Sequence, residues 1–332
     1  MYDLIVIGGG AAALSATAFA LGKQLKVLMI YEKLGGKAGQ QLTLRSDNDG
    51  GFDYLVGHIL VHMSRGEDAP VGESQYAGEE LVQLFERQIQ ARAGLALCDK
   101  VTMVSQEGEI FAVNTLSSGV QHGLAVIVAT GVTPYPLAVP GARELLGQGL
   151  GYSATTHARR LAGKRVVVIG ATTRSLRGAA ELARTVDRLF LVTLDPIDMP
   201  PLILETLRAQ PVVQVLEGYE VVALRGDKAI EEVVLDRGGQ REVLAVDAAF
   251  VDLGLRPNSG VVRHLAAVDA DGFIRVDARN ATTVPGMFAA GDVTTMFGEQ
   301  VLIAVGDGAR AALSAYDYLL SLSLMQQLGG RD

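Results

Sequence analysis

At 332 residues the chain is long enough for one large or two medium domains with buried cores. Its 49% apolar and 20% charged residues are those of a soluble globular protein, and no apolar run reaches the roughly 18–20 residues that span a bilayer. The formal charge of −8 and pI near 5.2 run against general nucleic-acid binding, which needs a basic face. Asp3 and the glycines after Ile7 interrupt the start, and no basic n-region precedes them, so no signal peptide is expected and a cytoplasmic chain is.

The apolar run Asp3-Leu4-Ile5-Val6-Ile7 meets Gly8-Gly9-Gly10 and passes straight into Ala11-Ala12-Ala13-Leu14. Strand, glycine turn and helix in that order give a G-x-G-x-x-G/A match its meaning. Gly8 permits the tight turn, Gly10 lets the backbone approach a pyrophosphate, and Ala13 is small enough for the helix to pack on the strand. The free N–H groups and partial positive charge of the helix start suit phosphates, so dinucleotide binding is expected ahead of a plain structural turn. Gly22 is read as the helix stop, and residues 25–30 as a second parallel strand. Glu32 stands just past that strand, where an acid takes ribose hydroxyls, with Tyr31 beside it. The following Gly35-Gly36-Lys37-Ala38-Gly39-Gln40-Gln41 is polar and flexible enough to wrap a cofactor.

Residues 46–78 read as an irregular excursion. His58 and His62 are spaced i, i+4 and share a face if residues 54–63 are helical; no third ligand accompanies them, so no metal site is expected. Residues 79–92 carry Leu81, Leu84, Phe85 and Ile89 at helical spacing. The single cysteine, Cys98, lies in a strand-like run and is expected to pack as a small hydrophobe; one thiol forms no intramolecular disulfide. Strand-like runs follow at 101–104 and 110–115. A buried strand at 125–128 then leads into Ala129-Thr130-Gly131, with Pro134, Pro136 and Pro140 after it as a linker.

A second strand–turn–helix start appears at Val166-Val167-Val168-Ile169-Gly170, followed by Ala171-Thr172-Thr173-Arg174-Ser175 and a helix over 176–184. Thr172 replaces the second glycine, placing a Cβ and hydroxyl where backbone would otherwise touch pyrophosphate. The strand after it runs into Leu194-Asp195-Pro196, without the arginines a 2′-phosphate needs. An intact NADP site is not expected here. Basic residues nonetheless gather around this motif, at Arg159, Arg160, Lys164, Arg165, Arg174, Arg177, Arg184 and Arg188 against Glu181 and Asp187. They read as a solvated face, or as a site for a phosphate-bearing ligand or an acidic protein, with Gly170, Thr172, Thr173, Arg174 and Arg177 as its candidate residues.

The opening turn, Gly39-Gln40-Gln41-Leu42-Thr43, Ala129-Thr130-Gly131, Gly254-Leu255-Arg256-Pro257-Asn258, Ala289-Ala290-Gly291-Asp292 and Gln300-Val301 span nearly the whole chain. In that order they resemble the low-molecular-weight thioredoxin reductase family of FAD flavoproteins. The resemblance implies an α/β protein of two Rossmann-like, three-layer βαβ domains, the second inserted in the first: an FAD domain from 1–132 and 248–332, and a nucleotide-type domain over 133–247. By the same resemblance Gly8, Gly10, Ala12 and Ala13 cradle the FAD pyrophosphate, and Glu32 or Tyr31 takes the adenosine ribose. Gly39, Gln40, Thr130 and Gly131 line the cofactor. Gly291 and Asp292 lie by the ribityl and phosphates, and Gln300 and Val301 face the flavin pyrimidine edge. A homodimer is implied as well.

The chain departs from the family where thioredoxin reductases carry Cys-x-x-Cys. Ser153 and Thr156 stand there, in Tyr152-Ser153-Ala154-Thr155-Thr156-His157, and hydroxyls do not exchange with disulfides. Thioredoxin reductase activity is therefore not expected. His157 is a candidate to move a proton at the flavin, and Tyr152 to stack on its ring. The leading expectation is an FAD oxidoreductase or electron carrier whose donor is not NADPH. The donor is then an acidic ferredoxin or flavodoxin, or a second dinucleotide or flavin in the middle domain. The alternatives are an NAD(P)H-dependent flavin, quinone or ferredoxin reductase, and a non-catalytic FAD-binding sensor or scaffold.

Overall fold

A computed structural model describes residues 1–39, 95–152, 161–197 and 201–329, together with the backbone of four short strands between 41 and 77. In chain order the strands are β1 (Tyr2–Ile7), β2 (Val27–Tyr31), β3 (Gln41–Arg45), β4 (Phe52–Val56), β5 (His58–Leu60), β6 (Gln75–Ala77), β7 (Ala96–Cys98), β8 (Val101–Glu107), β9 (Ile110–Thr115), β10 (Val120–Val128), β11 (Val132–Pro134), β12 (Leu150–Gly151), β13 (Arg165–Ile169), β14 (Arg188–Thr193), β15 (Val213–Glu217), β16 (Glu220–Arg225), β17 (Glu232–Arg237), β18 (Gln240–Ala245), β19 (Ala248–Val251), β20 (Leu255–Pro257) and β21 (Met287–Ala289). The α-helices are α1 (Ala11–Gly22), α2 (Thr173–Leu182), α3 (Pro201–Arg208) and α4 (Val301–Gly329).

The chain forms two compact units, one of Met1–Gly39, His58–Thr133 and Arg256–Asp332, the other of Gln40–Gly57 and Pro134–Leu255. In the first, a sheet ordered β7-β2-β1-β10-β9-β8 is parallel from β7 to β10 and antiparallel beyond. β10 changes partner along its length: Val120–Gly123 pairs with β9, whereas Val126–Val128 pairs in parallel with β21. Leu4, Val6, Met29, Ala125 and Ile127 face α1 and α4, and Ile5, Ile7, Leu28, Val126 and Val128 form the second core on the opposite face. The unbroken apolar run Leu4–Ile7 of β1 is what a strand covered on both faces requires.

The second unit repeats the plan. Its sheet, β12-β19-β13-β14-β15, is parallel throughout. Val166, Val168, Leu189 and Leu191 pack on the α2–α3 side, and Val167, Ile169 and Val192 pack on the side of the β16-β17-β18 meander. Two α/β units with parallel sheets and three layers are thus present, as the sequence motifs predict.

Several local expectations are corrected. β19 hydrogen-bonds between β12 and β13, so the chain returns to the first unit at Arg256 and not at 248. The backbone of Phe52–Val56 and His58–Leu60 is extended, so the helix that would have set His58 and His62 on one face is absent; His62 lies outside the described residues. The helix expected over 79–92 also lies outside them. Cys98 is exposed at the sheet edge instead of packed inside, because β7 alternates outward there. Gly22 is the last helical residue and not the stop; the chain turns at Gln24, whose φ is 61°. The second helix begins at Thr173, three residues earlier than its apolar spacing suggests, because Thr172 caps it.

Candidate functional site

The opening turn is shaped by two contacts that leave no room for a side chain. Gly8 has a φ of +134°, and a Cβ there would stand 2.2 Å from the Ala129 carbonyl oxygen; at Gly9 it would stand 2.2 Å from that of Lys33. Gly10 is different, for a Cβ built on it meets nothing within 4 Å. The turn is therefore packed from behind at Gly8 and Gly9 and open in front at Gly10. Behind it the first turn of α1 has no side-chain cap and no acidic residue, and Ala12 and Ala13 are buried. Uncapped N–H groups beside a glycine with free space are what a diphosphate needs. The residues present fit FAD at this end of the sheet.

The remaining first-unit candidates converge on the same end. The Ala290 N–H donates to the Val128 carbonyl at 3.0 Å, bringing β21 and the following turn alongside Ala129-Thr130-Gly131. A Cβ on Gly291 would stand 3.0 Å from Ala12 Cβ, so the Gly291–Val293 turn lies against the first turn of α1. Gln300 precedes α4 and its carbonyl accepts from the Ala304 N–H at 2.9 Å; Val301 opens the helix half-buried. The Ser15 hydroxyl donates to the Val305 carbonyl at 2.7 Å, tying α1 to α4. Tyr31 is half-buried at the end of β2. Glu32 is exposed and 3.5 Å from Lys100 Nζ, a pair too open to water to contribute much. Gly39 ends the Gly36–Gly39 turn, and Gln40 lies outside the described residues.

Four residues with no role assigned from sequence hold this site. Asn258 brackets Thr130-Gly131: its Nδ2 donates to the Thr130 carbonyl at 3.0 Å, its N–H to that of Gly131 at 2.9 Å, and its carbonyl accepts from the Thr130 hydroxyl at 2.8 Å. Thr130 thus spends its hydroxyl on Asn258. Asp307, buried on α4, accepts from the Gly291 N–H and lies 3.2 Å from Arg310. Burial pushes its carboxyl above the usual carboxylate range, against the pull of Arg310 and Gly291. Lys37 Nζ is 2.7 Å from Asp292 Oδ2. Asn258 belonged to a motif legible in sequence, and the i, i+3 spacing of Asp307 and Arg310 is the signal that could have paired them on a helix; the Lys37–Asp292 pairing had no sequence signal.

The second glycine motif is closed where the first is open. Gly170 has a φ of +139°, and a Cβ there would stand 2.0 Å from the Asp252 carbonyl oxygen, so the turn itself is preserved. Thr172, however, is the N-cap of α2, its hydroxyl accepting from the Ser175 N–H at 3.0 Å. Arg174 reaches across to the end of β19 and donates to both oxygens of Asp252, at 2.7 and 2.5 Å, with that carboxylate only 8% exposed. Thr173 opens the helix exposed, and Arg177, one turn on, has contacts of its own. Elsewhere in the basic run Arg165 is held by Asp247, and Arg188 by Gln214 and the Phe190 ring. Tyr152 is half-buried in the second unit's meander-side core, and burial raises its phenol. His157 lies outside the described residues. Among the described residues no group of three or more His, Cys, Asp and Glu is arranged to hold a metal, and no helix is long and apolar enough to cross a membrane.

Two parallel-sheet units, each with a glycine turn feeding a helix, define an α/β oxidoreductase of the dinucleotide-binding class. Residues 2–308 match the pyridine nucleotide-disulphide oxidoreductase family, and the chain belongs to it, as a flavoprotein of the thioredoxin reductase-like kind. It is 31% identical over 324 residues to a thioredoxin reductase of Treponema pallidum, covering 97% of this chain and 98% of that one. It is 30% identical to a component of the alkyl hydroperoxide reductase of Pseudomonas aeruginosa, matching 97% of this chain but only 59% of that longer protein. The fold is shared with the crystal structure of thioredoxin reductase from Streptococcus pyogenes at a TM-score of 0.81 and 24% identity, over 97% and 99% of the two chains.

Proposed function

We propose that this chain is an FAD-dependent oxidoreductase or electron carrier that does not act as a thioredoxin reductase and does not take its electrons from NADPH. The first unit is assigned as the FAD domain and the second as the inserted domain. When bound, FAD supplies two-electron redox chemistry. The chain's own part is to hold the diphosphate on the uncapped N–H groups of α1 and to keep Thr130-Gly131 rigid through Asn258. The N-terminus of α4, at Val301, offers partial positive charge toward the ring system. One observation carries the donor reading: at the second motif the Thr172 side chain caps the helix by accepting from the Ser175 N–H, and the nearby Arg174 is engaged by Asp252. A single cysteine supports the absence of dithiol chemistry within the chain. The donor is then a ferredoxin- or flavodoxin-like protein, or a second dinucleotide or flavin in the second unit. His157 and Tyr152 remain the candidates to serve the flavin, and a homodimer is the proposed assembly.

Anaerobic stopped-flow mixing tests this directly. Bleaching of the flavin band is expected with reduced ferredoxin or flavodoxin and not with NADH or NADPH. Fast bleaching by NADPH would overturn the donor reading in favour of an NAD(P)H-dependent reductase. A bound flavin inert to every donor would favour a sensor or scaffold. The flavin-to-protein ratio separates the versions with one and two flavins.

A further inference from the structure

We propose that Lys37 is a positioning residue for the flavin diphosphate, acting by neutralising Asp292 and not by touching the phosphates itself. Lys37 sits in a segment folded directly onto the glycine turn. The Gly35 N–H donates to the Gly9 carbonyl at 2.8 Å, and a Cβ on Gly36 would stand 3.1 Å from Gly10 Cα. From there the lysine ammonium reaches Asp292 Oδ2 at 2.7 Å, with Glu299 Oε2 farther off at 4.0 Å. Asp292 is 13% exposed, and its turn rests on Ala12 in the first turn of α1. A second acid, Asp307, is buried behind the same turn.

An anion held at the start of α1 therefore faces two carboxylates in a partly dehydrated place, where like charges repel strongly. Each carboxylate has its own cation, Arg310 for Asp307 and Lys37 for Asp292. Arg310 comes from the same helix as its partner, so folding α4 supplies it. Lys37 comes from a different segment, the one laid over Gly10. The pairing thus couples the seating of that segment on the glycine turn to neutralisation of the Asp292 charge. This rests on the flavin occupying the first glycine turn.

The test is titration of flavin-stripped protein with FAD, followed by absorbance and protein fluorescence, for the wild type, Lys37→Met, Asp292→Asn and the double variant. Lys37→Met is expected to raise the Kd about tenfold, since it leaves a partly buried carboxylate beside the phosphates. Asp292→Asn keeps the side-chain shape and one acceptor oxygen without the charge, so the double variant is expected to bind FAD severalfold more tightly than Lys37→Met. A double variant that binds no better than Lys37→Met, or a Lys37→Met that binds like wild type, overturns the inference. Failure of the wild type to bind FAD at all would instead overturn the assignment of the first turn. A purely structural clamp would make both single variants equally weak, with no rescue.

Discussion

Gly8 and Gly10 stand two positions apart in one turn, yet substitution at each has a different consequence. A Cβ at Gly8 overlaps a backbone oxygen and requires a φ that L-residues rarely adopt. Gly8→Ala is therefore expected to destabilise the first unit by about 2–4 kcal/mol, seen as a lowered melting temperature with or without flavin. Gly10 has ordinary φ and open space before it, so Gly10→Val should fold normally and lose FAD, checked by circular dichroism against the flavin-to-protein ratio. Thr172 gives a third residue-scale test. Thr172→Ala removes an N-cap and should lower stability by about 1 kcal/mol, whereas Thr172→Gly should lose only a few tenths, measured by chemical denaturation. The glycines themselves were legible in the sequence because their pattern has one geometric meaning. The role of Thr172 was legible only as an obstruction; its bond to Ser175 shows that it also completes its own helix.

At the scale of elements, β10 explains why the sheet of the first unit is mixed. It meets β9 antiparallel at its start and β21 parallel at its end, so two different layers grow from one strand. No local pattern in residues 120–128 announces the change of partner, since an apolar strand end is equally suited to either. The edge between β13 and β19 shows a similar dependence. Arg165 and Asp247 face each other there in a two-toothed ion pair, and Asp247 also accepts from the Arg165 N–H at 2.7 Å. Burial pushes the Asp247 carboxyl up, but its bonds to Arg165 outweigh that and hold it below the usual range. A carboxyl depressed by folding contributes stability that is complete above its unfolded pKa and is lost as pH falls through the folded one. The second unit should therefore lose stability below about pH 4, and Asp247→Asn should flatten that part of its melting-temperature profile. Asp307 has the opposite sign: its raised pKa makes it a group whose ionisation opposes folding as pH rises through the folded value.

At the scale of the whole molecule, two units of one design differ at the corresponding helix start: α1 is uncapped and α2 is capped. A ligand that binds one folded unit stabilises that unit, by about 2.7 kcal/mol when present at a hundredfold its Kd. Calorimetry of flavin-stripped protein is expected to show two transitions, of which FAD raises only the one belonging to the first unit, and NADPH raises neither. A shift of the second transition by NADPH would show that Thr172 and the Arg174–Asp252 pair yield to the nucleotide.

The sequence by itself determined the class: two strand–glycine–helix starts, the order of the flavin motifs, and a chain with one cysteine. Each motif is short-range and depends on residue types whose local geometry has few alternatives, and their order along the chain is read directly. Only the tertiary structure decided which charges meet. Lys37 finds Asp292, Arg174 finds Asp252 and Asn258 finds Thr130 across long stretches of chain. A charged or amide side chain carries no mark of its partner until the fold brings the two within a few ångströms. That is why the open first turn and the obstructed second one could be read from their residues, while the pairing of Arg174 with Asp252 and of Lys37 with Asp292 could not.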